Sequence, residues 1–145
     1  MEDCRQVITT INQYALNEPC EGEYRAFFQK LTADYYRYIA EFASGMELEQ
    51  VKLEALRSYE EADEIDLHPN SPLKLGLSLN FAVFHYEVMK NPTGAIEIAE
   101  KTLLLAKKNV EVKSLNDFQE AESIIEQLEH NLILWKSSSQ SSDNE

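Results

Sequence analysis

Apolar side chains recur every three or four positions along most of the chain, the spacing that places them on one face of an α-helix. The clearest run lies between residues 21 and 43, where one stripe contains Tyr24, Phe27, Phe28, Leu31, Tyr35, Ile39 and Phe42. No segment alternates with a period of two for long enough to predict a strand. The pattern therefore predicts an all-α fold.

Breakers between the periodic segments divide the chain into about six helices. The predicted helices cover residues 3–16, 21–43, 48–65, 72–89, 93–110 and 117–135. Asn70 or Ser71 is expected to cap the fourth helix, with Pro72 in its first turn, and Gly45 is expected to end the second. The connections are short, so we expect neighbouring helices to form an antiparallel array.

The length and the composition predict one folded domain with a short tail. A chain of 145 residues, 43% of them hydrophobic, can bury a single core. We assign residues 1–136 to this domain. The last nine residues, SSSQSSDNE, have no apolar side chain, so residues 137–145 are predicted to be a disordered, serine-rich and acidic tail.

The charge balance argues against nucleic acid and anionic membranes as partners. The chain has 26 acidic residues and 13 Lys and Arg, a formal net charge of −13. No apolar run approaches the roughly 18 residues of a membrane span. Cys4 and Cys20 fit neither a disulfide framework nor a metal-ligand spacing. We expect a cytoplasmic location, with the nucleus as a further compartment, and no cofactor.

One stripe of the predicted second helix is charged. By the i+3 and i+4 rule it presents Lys30, Asp34, Arg37, Tyr38 and Glu41. A guanidinium held by a neighbouring carboxylate and flanked by a phenol suits a phosphate dianion. The same spacing also describes a solvated face with ordinary ion pairs, and spacing alone favours that simpler interpretation.

Two later helices place an asparagine among apolar residues. The fourth helix has the stripe Gly76, Leu79, Asn80, Val83 and Glu87, and the sixth has Ile124, Gln127, Leu128, Asn131, Leu134 and Trp135. An asparagine amide both donates and accepts hydrogen bonds, so it can hold the backbone of an extended peptide. Ordinary core packing is the alternative for each stripe alone. If both stripes face the charged stripe, they form a groove with a polar and an apolar wall.

Enzyme motifs are absent from the sequence. His68, His85 and His130 lie in three different segments, and there is no HExxH, GxSxG or glycine-rich phosphate loop. We expect no catalytic and no metal site. A metal-dependent helical enzyme stays open only as a third hypothesis, which elemental analysis of the purified protein would test.

Three hallmark strings resemble the 14-3-3 family, and a fourth string near the N-terminus is similar to it as well. DYYRYIAEFASG, HPNSPLKLGLSLNFAVFHYEV and EHNLILW are similar to its fifth, seventh and ninth helices, and DCRQVITTINQ is similar to the latter part of its fourth. The resemblance covers residues 3–136. It implies a nine-helix antiparallel fold of which this sequence has the later helices and lacks the first three and the start of the fourth.

The resemblance also implies a function and its residues. The family consists of adaptors, not enzymes, that bind phosphoserine or phosphothreonine motifs of client proteins in an amphipathic groove. It places phosphate binding on Lys30, Arg37 and Tyr38. It assigns the contacts to the peptide backbone and the lining of the groove to Leu79, Asn80, Val83, Glu87, Ile124, Asn131, Leu134 and Trp135. Gln127 departs from the family, which has a leucine in this wall.

The helices that the resemblance does not cover affect the expected strength of binding. In the family they form the dimer interface, and the third supplies a lysine and an arginine of the phosphate pocket. We therefore expect no family-type dimer. Two lost charge-assisted bonds of about 1.5–3 kcal/mol each would weaken binding on the order of a hundred- to ten-thousand-fold. The alternative function is a phosphate-independent helical scaffold that binds another protein through acidic or exposed apolar surfaces.

Overall fold

The computed structural model of the chain describes residues 2–14, 22–108 and 115–143. In these residues there are six helices and no strand, which confirms the predicted all-α class. The helices are α1 Glu2–Tyr14, α2 Gly22–Ala40, α3 Gly45–Asp63, α4 Pro72–Glu87, α5 Pro92–Lys108 and α6 Leu115–Asp143. The predicted ends of helices at residues 16, 21 and 110 lie outside the described residues.

The end of α2 differs from the prediction. The N–H groups of Glu41 and Phe42 donate to the carbonyls of Tyr38 and Ile39, three residues back instead of four, so the regular α-helix ends at Ala40, before the chain reaches the glycine. Gly45 does have a positive φ of 61°, but it begins α3 directly after Ser44. The prediction that Gly45 ends the second helix is therefore wrong, because backbone bonds within the turn close α2 earlier.

The starts of α4 and α5 follow the local sequence signals. Pro72 is the first residue of α4, and the carbonyl of Ser71 accepts the N–H of Leu75 at 2.9 Å. Asn91 immediately precedes α5, and its Oδ1 accepts the N–H of Gly94 at 3.0 Å. Proline at the first helical position lacks only an N–H that has no partner within the helix, so it begins the helix at little cost.

The chain folds as two compact units, Met1–Leu67 and His68–Glu145. In the first unit α2 packs against both α1 and α3. The buried side chains of α2 and α3 are mostly small, with one large aromatic among them: Ala26, Ala33, Ala55, Ala62 and Tyr59. Small side chains let two helices approach closely, so the large side chain of Tyr59 on α3 lies close to α2.

The apolar stripe that marks the second helix in the sequence is buried only in part. Tyr24 and Phe42, at its two ends, are 72% and 74% exposed. The face that α2 buries contains Ala26, Gln29 and Ala33. The spacing of large apolar residues thus predicted the helix, and the structure shows that much of its buried face consists of small and polar side chains.

In the second unit α4, α5 and α6 each contact the other two. Their core is a single cluster of buried apolar residues: Leu75, Ala82, Ala95, Ala99, Leu103, Ala106, Ala121, Leu128 and Trp135. Asn70 fastens the start of this unit to the end of α5, because its Nδ2 donates to the carbonyl of Ala106 at 2.8 Å. No helix among the described residues has the length and apolarity needed to cross a membrane.

The last helix is longer than the sequence predicts. We predicted disorder from Ser137 onward, whereas α6 continues through Asp143. Extending a helix that already exists needs no new nucleation, so polar residues can follow at little cost. The proposed division of the chain at residue 136 stays a prediction, and residues 144 and 145 lie outside the described part of the chain.

Candidate functional site

The charged stripe of α2 forms a cluster around one carboxylate. Nζ of Lys30 lies 2.9 Å from Oδ2 of Asp34, and Nη2 of Arg37 lies 3.8 Å from Oδ1 of the same residue. The side chain of Asp34 is only 6% exposed, whereas those of Lys30 and Arg37 reach the surface in part. The two cations share one buried counterion, so the cluster has a net positive charge in a chain whose formal charge is −13.

Tyr59 of α3 belongs to this cluster, although the sequence analysis did not find it. Its hydroxyl donates to Oδ1 of Asp34 at 2.5 Å and accepts the Nε–H of Arg37 at 3.2 Å. The helical spacing of Val51, Ala55 and Tyr59 signals a buried face. Nothing in that spacing shows which residues of α2 the hydroxyl meets.

The ionisation states in the cluster follow from burial and from these bonds. Burial, followed by the charge of Asp34, raises the pKa of Tyr59 far above its ordinary value, so the phenol stays neutral. Burial opposes the charge of Arg37, but Tyr59 and Asp34 more than offset this effect and raise the pKa of the guanidinium. At neutral pH the guanidinium of Arg37 is therefore charged and the phenol of Tyr59 is neutral.

Tyr38 stands beside the cluster at the surface. The guanidinium carbon of Arg37 lies 5.1 Å from the centre of the Tyr38 ring, and the ring edge contacts Tyr35. Tyr38 is exposed. Glu41, the last member of the predicted stripe, lies exposed in the turn that follows α2. Lys30, Arg37 and Tyr38 are thus brought together as a group.

The asparagine stripes of α4 and α6 meet through a shared apolar cluster. Leu79, Val83 and Ile124 are half-buried and pack against the core of the second unit. Asn80 and Asn131 are half-buried as well. The apolar residues Leu79, Val83 and Ile124 of the two stripes are therefore supported by one common core.

The ends of the two stripes differ in accessibility. Leu134 is 51% exposed, whereas Trp135 is 6% exposed and its ring stacks on Tyr86 with 5.1 Å between the ring centres. Glu87, the last residue of α4, is exposed. Leu134 and Glu87 are accessible to a ligand, whereas most of the Trp135 side chain packs into the core and only a small part of it reaches the surface. The groove that would join these residues with Arg37 and Tyr38 of the first unit stays a prediction.

The described residues contain no group of three or more histidine, cysteine or acidic side chains placed to hold a metal ion. Cys4, the cysteine among them, is a free thiol. The polar groups that do come together are two cations, a carboxylate and two phenols. Chemically, this set is suited to binding an anion at Lys30 and Arg37.

Comparison with known proteins identifies the family of this chain. A family model described as 14-3-3 protein matches residues 1–136. The chain belongs to the 14-3-3 family, whose members are non-enzymatic adaptor proteins. This confirms the resemblance seen in the three sequence strings.

Relatives from distant organisms share about a third of the residues. The chain is 34% identical over 137 residues to 14-3-3-like protein C of Glycine max, an alignment that covers 92% of this chain and 53% of the relative. It is 33% identical over 143 residues to the 14-3-3 protein of Giardia intestinalis, covering 97% of this chain and 58% of the relative. It is 33% identical over 137 residues to the checkpoint signal transducer rad24 of Schizosaccharomyces pombe, an alignment that covers 92% of this chain and 51% of the relative. The chain spans about half the length of these relatives.

Proposed function

We propose that this chain is an adaptor of signalling proteins that binds phosphoserine or phosphothreonine motifs of its clients. Lys30, Arg37 and Tyr38 bind the phosphate. Asn80 and Asn131 hold the peptide backbone, and the remaining groove contacts come from Leu79, Val83, Glu87, Ile124, Leu134 and Trp135. Family membership and a relative named as a checkpoint signal transducer support this role.

The observation that carries the proposal is the cation cluster around Asp34. Arginine binds phosphate through several N–H groups in a planar fork, and lysine acts as a point charge. Asp34 and Tyr59 hold Arg37 in place before any ligand arrives. Because the rest of the chain is strongly acidic, this is a local attraction for an anion and not a general property of the surface.

The proposal includes weak binding by the 145-residue chain when it is tested alone. The family resemblance assigns two further cations of the phosphate pocket to a helix that the matched region does not cover. Each such charge-assisted bond contributes about 1.5–3 kcal/mol. We propose neither nucleic acid nor membrane as a partner, and no family-type dimer. Light scattering of the purified chain tests the last point, and a well-defined dimer would contradict it.

Fluorescence anisotropy tests the function directly. One labelled peptide with a single phosphoserine and its unphosphorylated twin are titrated with the chain, with Arg37→Ala and with Arg57→Ala. Arg57 is a matched control because it lies in the same unit, is 72% exposed and pairs with Glu61 on its own helix. We expect tighter binding of the phosphopeptide, a loss of about tenfold or more of that preference in Arg37→Ala, and no loss in Arg57→Ala.

The second candidate function is a phosphate-independent scaffold, which the exposed apolar side chains of the chain favour. It predicts equal binding of the two peptides and binding that survives Arg37→Ala. Leu134→Ala would weaken it, because Leu134 exposes half of its surface. Equal affinities for phosphorylated and unphosphorylated peptide in the unmodified chain would therefore reject the phosphate-binding proposal in favour of the scaffold.

A further inference from the structure

Tyr59 is a fully buried polar side chain that connects two helices. It lies on α3, is 0% exposed, and its hydroxyl forms hydrogen bonds to two residues of α2, Asp34 and Arg37. A tyrosine hydroxyl has one donor and accepts through its lone pairs. Here it donates to the carboxylate and accepts from the guanidinium, so both capacities are used within the cluster.

This bond determines which part of the guanidinium is engaged inside the protein. An arginine side chain has five N–H donors in one plane. Tyr59 accepts the donor on Nε, at the inner end of that plane. The four N–H groups on the two Nη atoms are not needed for this bond. Fixing Nε sets the direction of the plane, and with it the direction in which the Nη groups point.

A neutral partner at this position also preserves the positive charge of the cluster. Asp34 already serves as the counterion of both Lys30 and Arg37. A second carboxylate in the place of Tyr59 would cancel the remaining positive charge, and an apolar residue would leave Nε–H without an acceptor. A phenol kept neutral by its surroundings avoids both outcomes.

From this geometry we infer that Tyr59 is a positioning residue of the phosphate site, which orients the guanidinium of Arg37 toward the ligand while Asp34 balances its charge. The inference rests on the proposed phosphate-binding function, because it adds to that site a residue on a neighbouring helix. It assigns Tyr59 no contact with the ligand itself. Its effect on binding acts entirely through Arg37.

The test variant is Tyr59→Phe, which keeps the aromatic ring and removes only the hydroxyl. Tyr36→Phe is the matched control: Tyr36 is half-buried in the same unit, and the charged groups that act on it are Glu54, Arg5 and Arg57, outside the cluster. Circular dichroism confirms that each variant is folded. Two measurements follow, one on the orientation of Arg37 and one on binding.

The first measurement is the rate at which the Nε–H of Arg37 exchanges with water, observed by NMR in a ¹⁵N-labelled chain. The Arg37 signal is identified by its loss in Arg37→Lys. We expect it to exchange about tenfold or more slowly than the Arg57 signal, because the bond of Arg37 to Tyr59 is shielded from water whereas the bond of Arg57 to Glu61 lies at the exposed surface. In Tyr59→Phe it should exchange as fast as Arg57, and in Tyr36→Phe it should stay slow.

The second measurement is the ratio of affinities for the phosphorylated and unphosphorylated peptides. We expect Tyr59→Phe to lower this ratio about three- to tenfold, since an oriented bond to a charged group is lost. On an Arg37→Lys background the same substitution should have almost no further effect, because a lysine has no Nε–H to orient. If Tyr59 had only a structural role, Tyr59→Phe would lower the affinity ratio equally in the unmodified chain and in the Arg37→Lys variant.

The outcomes separate the inference from the proposed function. The inference is overturned if the Nε–H of Arg37 still exchanges slowly in Tyr59→Phe. It is also overturned if this exchange becomes fast but the ratio of affinities for the two peptides stays unchanged. A chain that never distinguishes the two peptides, but whose Arg37 signal loses protection in Tyr59→Phe, rejects the proposed function and supports the orientation of Arg37 by Tyr59. If Tyr59→Phe does not fold, Arg37→Lys carries the test: it keeps the charge, and an unchanged preference for phosphopeptide would overturn the inference.

Discussion

The two units hold their candidate binding residues by different means. In the first unit, Lys30 and Arg37 are fixed by directional bonds to Asp34 and Tyr59. In the second unit, Leu79 and Val83 are held by packing against a core of apolar side chains. The first arrangement depends on charge and hydrogen-bond geometry, and the second on volume.

The difference indicates what each unit can tolerate. An apolar core loses stability when a substitution leaves a cavity, and it tolerates replacements that keep the volume. A buried polar cluster fails when one partner is lost, because the other partner then stays buried without compensation. Substitutions that keep volume should therefore be mild in the second unit and harmful in the cluster of the first.

The largest effect is expected from removing volume in the second core. Leu128 is fully buried, so Leu128→Ala should lower the free energy of unfolding by about 2–5 kcal/mol. Urea unfolding followed by circular dichroism measures the change. Leu104→Ala is the control on α5, since Leu104 is largely exposed. Similar losses in the two variants would show that the apolar cluster is not the stabilising core.

A change of charge at constant volume should have a smaller effect in the first unit. Asp34→Asn removes the shared counterion of Lys30 and Arg37, and we expect a loss of about 1–3 kcal/mol in urea unfolding. Glu49→Gln makes the same chemical change at an exposed ion pair with Lys52. If Asp34→Asn is as harmless as Glu49→Gln, the cluster does not depend on its charge.

The asparagines should affect binding without affecting the preference for phosphate. Asn80→Ala is expected to weaken phosphorylated and unphosphorylated peptides alike, by about fivefold, because one hydrogen bond to the peptide backbone is lost. Anisotropy titrations of both peptides measure the two affinities, with Asn12→Ala on the exposed face of α1 as the control. A loss confined to the phosphopeptide would assign Asn80 to the phosphate instead.

The smallest effects are expected at surface ion pairs, and they should be alike in both units. Arg5 pairs with Glu47 at 2.8 Å in the first unit, and Lys136 pairs with Glu100 at 2.8 Å in the second. Because all four side chains are about half exposed, each substitution by alanine should cost about 0.2–1 kcal/mol. The cost should decrease in about 1 M salt, where the charges are screened. A larger loss in either variant would show that its pair does more than bridge two helices at the surface.

Local features of this fold could be predicted from the sequence because their partners are neighbours in the chain. The six helices follow from apolar spacing, and the start of α4 follows from Pro72. The approach of Lys30 and Arg37 to Asp34 follows from helical geometry alone, at separations of four and three residues. Each of these needs only the pitch of a helix and no knowledge of tertiary structure.

Features that depend on how helices pack could not be predicted in this way. Tyr59 joins the cluster only because α3 brings it to α2, and Trp135 stacks on Tyr86 only because α6 packs on α4. Periodicity shows that a residue is buried but not which residue it meets.

The first turn of α5 has a consequence for protein engineering. Replacing a helical glycine by alanine usually adds about 1 kcal/mol of stability. At Gly94, however, an added methyl carbon would lie 2.6 Å from Nδ2 of Asn91, the side chain that caps the helix. If that amide moved aside, the helix would lose a cap that typically contributes about 1 kcal/mol of stability. This loss would nearly cancel the stability gained by replacing glycine with alanine. A substitution that general helix rules recommend for thermal stabilisation thus brings no benefit at this position.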